Sequence, residues 1–227
     1  MPDPSYPLTA QTTPSRRTTR LVYDRAAVHA VLDEAVLCHV GFVIDGKPVV
    51  LPQLHARVGE QLYLHGSTGA RAMQAATDDG GLAVCVTVTL IDGLVLARSS
   101  FNHSINYRSV VIHGIAKELT READKQAALA ALVEAVVPGR SAAVRGPSRK
   151  ELAATTVLRL DLEAVSIKSR TGPPDDEESD LDLPFWAGVL PLASLPGTPA
   201  PAPDLSTAIP TPDHVTSWAR PSMKQAP

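Results

Sequence analysis

Cysteine and aromatic residues are scarce in this chain of 227 residues, which has two cysteines and 4% Phe, Trp and Tyr. Cys38 and Cys85 lie inside apolar runs and outside any Cys-x-x-Cys pair. That excludes a disulfide framework and reads as two buried thiols in a reducing compartment. No apolar run approaches the ~18 residues of a membrane span, and the N-terminus has no apolar h-region. A cytoplasmic location without a membrane partner is the expectation. Clustered positive charge is also missing. Residues 16–170 hold 19 Lys+Arg against 15 Asp+Glu, and Asp175–Asp182 adds six negative charges in eight residues. Nucleic-acid binding needs a clustered basic face and is not expected.

Several familiar motifs are absent. There is no Rossmann Gly-x-Gly-x-x-Gly and no Walker loop, so a nucleotide would have to bind in another way. Hydrolysis by a Gly-x-Ser-x-Gly elbow is excluded. The seven histidines (29, 39, 55, 65, 103, 113 and 214) form no His-x-x-x-His or His-Glu-x-x-His pattern. His39 and His55 read as structural histidines within strands rather than as a metal pair.

What is present is strand-like. Val36–Ile44 and Lys47–Arg57 flank an Asp45-Gly46 hairpin signal. Gln61–His65, Leu82–Leu90, Leu94–Ser99, Asn106–Leu119 and Thr156–Ser169 follow. Helices are expected at Arg25–Ala35 behind an Asp24 cap, Gly69–Ala76, Arg121–Val136, and from a Ser148 cap to Ala154. Tight turns between antiparallel strands predict a mainly β fold, a closed or nearly closed β-barrel with flanking helices. Residues 1–15 are expected to be disordered and 196–227 to form a Pro-rich flexible tail, leaving 16–195 as the folded domain. The aromatic Pro184–Pro191 stretch is expected to dock, carried there by a solvated acidic loop.

Two clusters carry candidate chemistry. His65-Gly66-Ser67-Thr68-Gly69-Ala70-Arg71 falls where a strand yields to a helix, a place suited to phosphate. A plain polar loop with a surface arginine is the other reading. Asn106-Tyr107-Arg108-Ser109 begins a long strand and places Arg108 and Ser109 on opposite faces. One of them is left to meet solvent, a neighbouring subunit or a ligand, or Arg108 makes a surface ion pair.

With Leu37–Phe42, Leu62–Ser67, Cys85–Leu90 and Asp92–Ser99, these segments resemble the flavin-nucleotide-binding branch of the pyridoxamine 5′-phosphate oxidase-like superfamily. That branch includes relatives of the nitroimidazole reductases. The resemblance spans about residues 17–192. It implies an antiparallel, Greek-key FMN-binding split barrel, a homodimer with two FMN sites at the interface, and an FMN-dependent oxidoreductase acting on a small organic substrate. It places the backbone of Val50, Leu51, Pro52 and Gln53 along the isoalloxazine. His65, Gly66, Ser67, Thr68 and Arg71 would hold the ribityl phosphate. Asn106, Tyr107, Arg108 and Ser109 would reach the flavin from the interface, and Trp186 would close the site. No side chain is assigned as catalytic, because the flavin carries the chemistry. Gly69-Ala70-Arg71 replaces a Ser-x-Lys clamp, and Ala187-Gly188-Val189 follows Trp186 instead of a basic motif. Both departures argue against pyridoxamine phosphate oxidation itself. The rival readings are a flavin carrier without turnover and a split barrel holding haem, with His39, His55, His65 or His103 as ligand, or a deazaflavin.

Overall fold

The computed structural model describes residues 3–13, 21–77 and 80–219. The short strand β1 (Leu21–Val22) precedes helix α1 (Arg25–Glu34), whose Asp24 cap accepts a 2.7 Å bond from the Ala27 amide. Strands β2 (Leu37–Ile44) and β3 (Lys47–Leu54) form the expected hairpin. Asp45 and Gly46 both take positive φ, 51° and 72°, as a two-residue turn requires. Next come β4 (Ala56–Val58), β5 (Gln61–Ser67), α2 (Arg71–Ala76), β6 (Leu82–Leu96) and β7 (Ser104–Glu118). Helix α3 (Glu122–Val136), helix α4 (Arg149–Ala154) and strands β8 (Thr155–Asp161), β9 (Ala164–Arg170) and β10 (Gly188–Pro191) follow. A short α5 (Asp213–Thr216) comes last.

Every strand pair is antiparallel, and the main path runs β3-β2-β6-β7-β8-β5-β4. The sheet is mainly β with few helices, as expected, but it does not close: β3 and β4 are free ends of the path. Alternate residues of β2, β5, β6, β7 and β8 point inward. Val40, Leu62, Leu64, Val86, Val88, Ile112, Leu158 and Leu160 are buried there with Val28 and Leu32 of α1. Gly114 keeps the centre packable, since a Cβ there would lie 2.7 Å from Leu160 Cδ1.

Three element boundaries and the surroundings of one acidic residue differ from the sequence expectation. Asp92-Gly93 is a bulge inside one 15-residue strand, not a turn between two. Glycine suits that position because a Cβ would come within 3.0 Å of the Leu190 carbonyl on β10. The expected last strand is two strands, β8 and β9, broken near Leu162, whose amide bonds the Glu60 carbonyl; β8 pairs with β5 and β7, and β9 pairs with β7 and β1. Lys47–Arg57 breaks at His55, which is buried and bonds the Leu32 carbonyl through Nε2 at 2.9 Å. In the acidic stretch, the Asp176 carboxylate is buried, not solvated, and accepts 2.9 and 2.7 Å bonds from the Arg98 backbone and guanidinium.

The chain ends also carry structure. Within 1–15, Tyr6 is buried, bonds Glu60 at 2.8 Å and lies under Arg25. Residues 1, 2, 14 and 15 lie outside the described residues, as do 220–227 of the tail. From Pro191 to Asp213 the chain is exposed; it then docks on α3, where the Trp218 indole donates to the Val136 carbonyl at 3.0 Å. That bond satisfies one of the open carbonyls at a helix C-terminus.

Candidate functional site

The edge strand β3 exposes both of its faces. Val50 is 64% and Leu51 41% exposed, and Pro52 and Gln53 continue the row. An outer groove of about 870 Å³ runs beside it, lined by Gly41, Val43, Val50, Cys85, His113 and Lys117. Because β3 pairs only with β2 among the described residues, one side of its backbone is open there to a ligand or to another chain.

The β5–α2 junction brings Ser67, Thr68 and Arg71 together, but several of their groups are already engaged. The Thr68 amide bonds Ala154 O at 3.1 Å, and Ser67 Oγ accepts from the Gly69 amide at 3.3 Å. Arg71 is exposed and pairs with Asp45 of the β2–β3 turn at 2.6 Å. Gly66 has a packing role: a Cβ there would meet Met73 Cε of α2 at 2.8 Å.

On β7, the guanidinium of Arg108 is saturated by carboxylates. It contacts Glu34 at 2.7 and 3.1 Å and Asp92 at 3.0 and 2.8 Å. These bonds hold its proton far above the ordinary arginine range. Its charge is thus spent on pinning α1 to the sheet at the bulge. Asn106 is buried and links Arg170 to the Gly172 carbonyl. Ser109 meets Thr89 across the strands at 3.0 Å, and Tyr107 is half-buried. Trp186 is 69% exposed, and its ring packs on Gly188.

His65 occupies different surroundings. Leu62, Leu64 and Gly66 of β5 point into the barrel, so alternation turns His65 to the opposite face, beneath α3. It lines a cavity of about 630 Å³ with Leu129, Leu132, Val133, Val136 and Val144. Its Nδ1 is buried without a hydrogen-bond partner among the described residues. Burial pushes the imidazole below the ordinary histidine range, so it is neutral at neutral pH. Arg140 and Arg145 also line the cavity. Sequence reasoning placed His65 beside a phosphate and took Leu129, Leu132 and Val136 of α3 as inward-facing core, not as neighbours of that histidine. The overlooked signal is that α3 carries Leu129, Val133 and Val136 beyond the Ala128 and Leu132 that it buries in the fold.

This geometry can now be set beside known proteins. The model of the pyridoxamine 5′-phosphate oxidase family matches residues 24–169. The flavocytochrome Anf3 from Azotobacter vinelandii is 36% identical, with a TM-score of 0.87, covering 93% of this chain and 98% of that one. The FAD and haem binding protein from Mycobacterium smegmatis is 38% identical, with a TM-score of 0.84, covering 88% of this chain and 98% of that one. A 5-nitroimidazole antibiotic resistance protein from Bacteroides thetaiotaomicron shares the fold at 19% identity and a TM-score of 0.53, over 65% of this chain and 85% of that one. No curated protein matches. The chain belongs to the pyridoxamine 5′-phosphate oxidase family of split-barrel proteins.

Proposed function

We propose that this protein is an oxidoreductase that binds a flavin and a haem and passes electrons between them. The observation that carries the reading is the His65 cavity: an imidazole whose proton affinity is lowered by burial lines a chamber walled largely by aliphatic side chains, and its buried Nδ1 has no partner among the described residues. A buried polar atom without a partner costs about 1–3 kcal/mol, a cost that a ligand relieves. Imidazole nitrogen is a common axial donor to haem iron, and the volume suits a flat cofactor. His65 would hold the iron, while Leu129, Leu132, Val133, Val136 and Val144 would exclude water from the ring. The bound cofactors supply the one-electron chemistry; the chain supplies ligation, dryness and orientation.

For the flavin, the reading keeps the edge strand, with Val50–Gln53 along the ring. FAD is preferred to the FMN expected from the sequence, since the relative that is 38% identical is named for FAD. The same face supports a homodimer. Leu37, Val43, Val50, Leu54, Ile91 and Ile115 are exposed apolar side chains on β2, β3, β6 and β7. A second copy would cover them and bring Tyr107, Ser109 and Trp186 toward a shared site. Both cysteines are free, which fits a reducing cytoplasm. No helix among the described residues is long and apolar enough to cross a membrane.

The test is an absorption spectrum of protein loaded with haem and FAD, followed during anaerobic reduction. Flavin bands and a histidine-type Soret band, with haem reduction following flavin reduction, support the reading. Flavin turnover with a small organic acceptor and no haem uptake would favour the flavin-only oxidoreductase that the sequence suggests.

A further inference from the structure

The His65 cavity is chemically lopsided. Its interior is formed by aliphatic side chains, whereas Arg140 and Arg145 stand on the loop after α3. Among the described residues, Arg140 makes no side-chain hydrogen bond or ion pair, and it is half-buried. Arg145 is exposed and held by Glu151 in a two-pronged pair at 2.8 and 2.7 Å. Among the described residues, Glu151 is the only carboxylate lining the cavity. It has a second role, since its Oε2 accepts from the Ser148 amide at 2.7 Å in the capping box of α4. If Arg145 turned to another anion, Glu151 would keep that bond and remain in water. The exchange would therefore leave no buried charge behind.

A wholly apolar ligand would gain nothing from an unpaired guanidinium beside its chamber. A planar fork of N–H donors matches a carboxylate. The loop holds that fork in place. Gly139 turns with φ +85°, and Glu134 of α3 accepts the Gly139 and Ser141 amides at 2.6 and 2.8 Å. Arg140 is thus carried on a segment braced on both sides.

We propose that Arg140, with Arg145 as its partner, is the specificity element of this cavity: the two arginines select a cofactor whose apolar body ends in an edge of two carboxylates. The proposal rests on the reading of the cavity as a haem site and assigns the haem propionates to these two residues. Recognition of that edge fixes the orientation of the ring, and an uncharged macrocycle of the same size is discriminated against. The exchange of Glu151 for a propionate on Arg145 couples occupancy to the start of α4.

The experiment titrates the full chain with iron protoporphyrin IX and, separately, with its dimethyl ester, followed by the Soret band. The wild-type chain is expected to prefer the free acid by about 10- to 100-fold, the worth of one charge-assisted hydrogen bond or slightly more. Arg140→Gln loses most of that preference, and Arg140→Gln with Arg145→Gln loses all of it, while ester binding and the histidine-type spectrum stay unchanged. Equal affinity of the wild-type chain for acid and ester refutes the specificity role and leaves the haem site standing. An undiminished preference in the double variant also refutes it. Binding of neither porphyrin by the wild-type chain refutes the haem reading itself.

Discussion

Replacing Arg108 by methionine removes the guanidinium that joins α1 to the β6–β7 pair. The side chain bonds two carboxylates four times, at 2.7–3.1 Å. Glu34 is only 7% exposed there, Asp92 is 32% exposed, and Arg108 itself is 27% exposed. Breaking a buried ion pair from one side costs up to about 3–5 kcal/mol, because the remaining charge loses that partner. Solvent at Asp92 and Arg108 screens part of this, so a loss of about 2–4 kcal/mol is expected. Most of it should return in Arg108→Met with Glu34→Gln, where the Glu34 carboxylate no longer loses the guanidinium. Denaturant unfolding of the wild type, both single variants and the double variant gives the coupling directly. A loss below about 1 kcal/mol for Arg108→Met would refute the structural role. If flavin affinity fell instead while stability held, Arg108 would belong to the cofactor, as the family resemblance suggests.

Further perturbations probe other parts of the account. Without added haem, stability should be flat above about pH 7.5 and decline as pH falls through about 6.5. The unfolded His65 binds a proton more readily than the buried one, so acid favours unfolding, by at most about 1.4 kcal/mol per pH unit for one group. His29 acts in the same direction, and His65→Asn should make the slope shallower without abolishing it; an unchanged slope would contradict burial of His65. Val50→Glu on the exposed edge should turn a dimer into a monomer in sedimentation, and a dimer that survives it would place the interface elsewhere. Trp218→Phe should speed amide exchange around Val136–Arg140 by about tenfold, the value of one hydrogen bond, and leave β6 and β7 protected. Equal exchange would mean that the tail does not brace α3.

The sequence was most legible where local chemistry decides the outcome. Alternating apolar residues mark β2, β5, β6 and β7, Asp45-Gly46 marks the hairpin, and Asp24 and Ser148 mark helix starts. His55 reads as structural and is. Legibility fails where partners are distant. Asp92-Gly93 looks like a turn because its bulge is stabilised by the approach of β10, nearly a hundred residues later. An ion pair is one reading of Arg108 in the sequence, but its partner is hidden because Glu34 lies 74 positions away. The Pro-rich tail shows nothing that foretells the Trp218 contact, made across 82 positions. His65 was singled out, but its face could not be judged without knowing that α3 covers β5. A phosphate cradle and a haem chamber both call for a histidine at the end of a strand.

The most direct measurement is the spectrum of haem-loaded wild-type protein against His65→Ala. The account predicts a histidine-type Soret band in the wild type, its loss or shift in the variant, and recovery when imidazole is added to the variant. An identical spectrum and haem affinity in both proteins would contradict it, because the iron would then take its ligand from another residue.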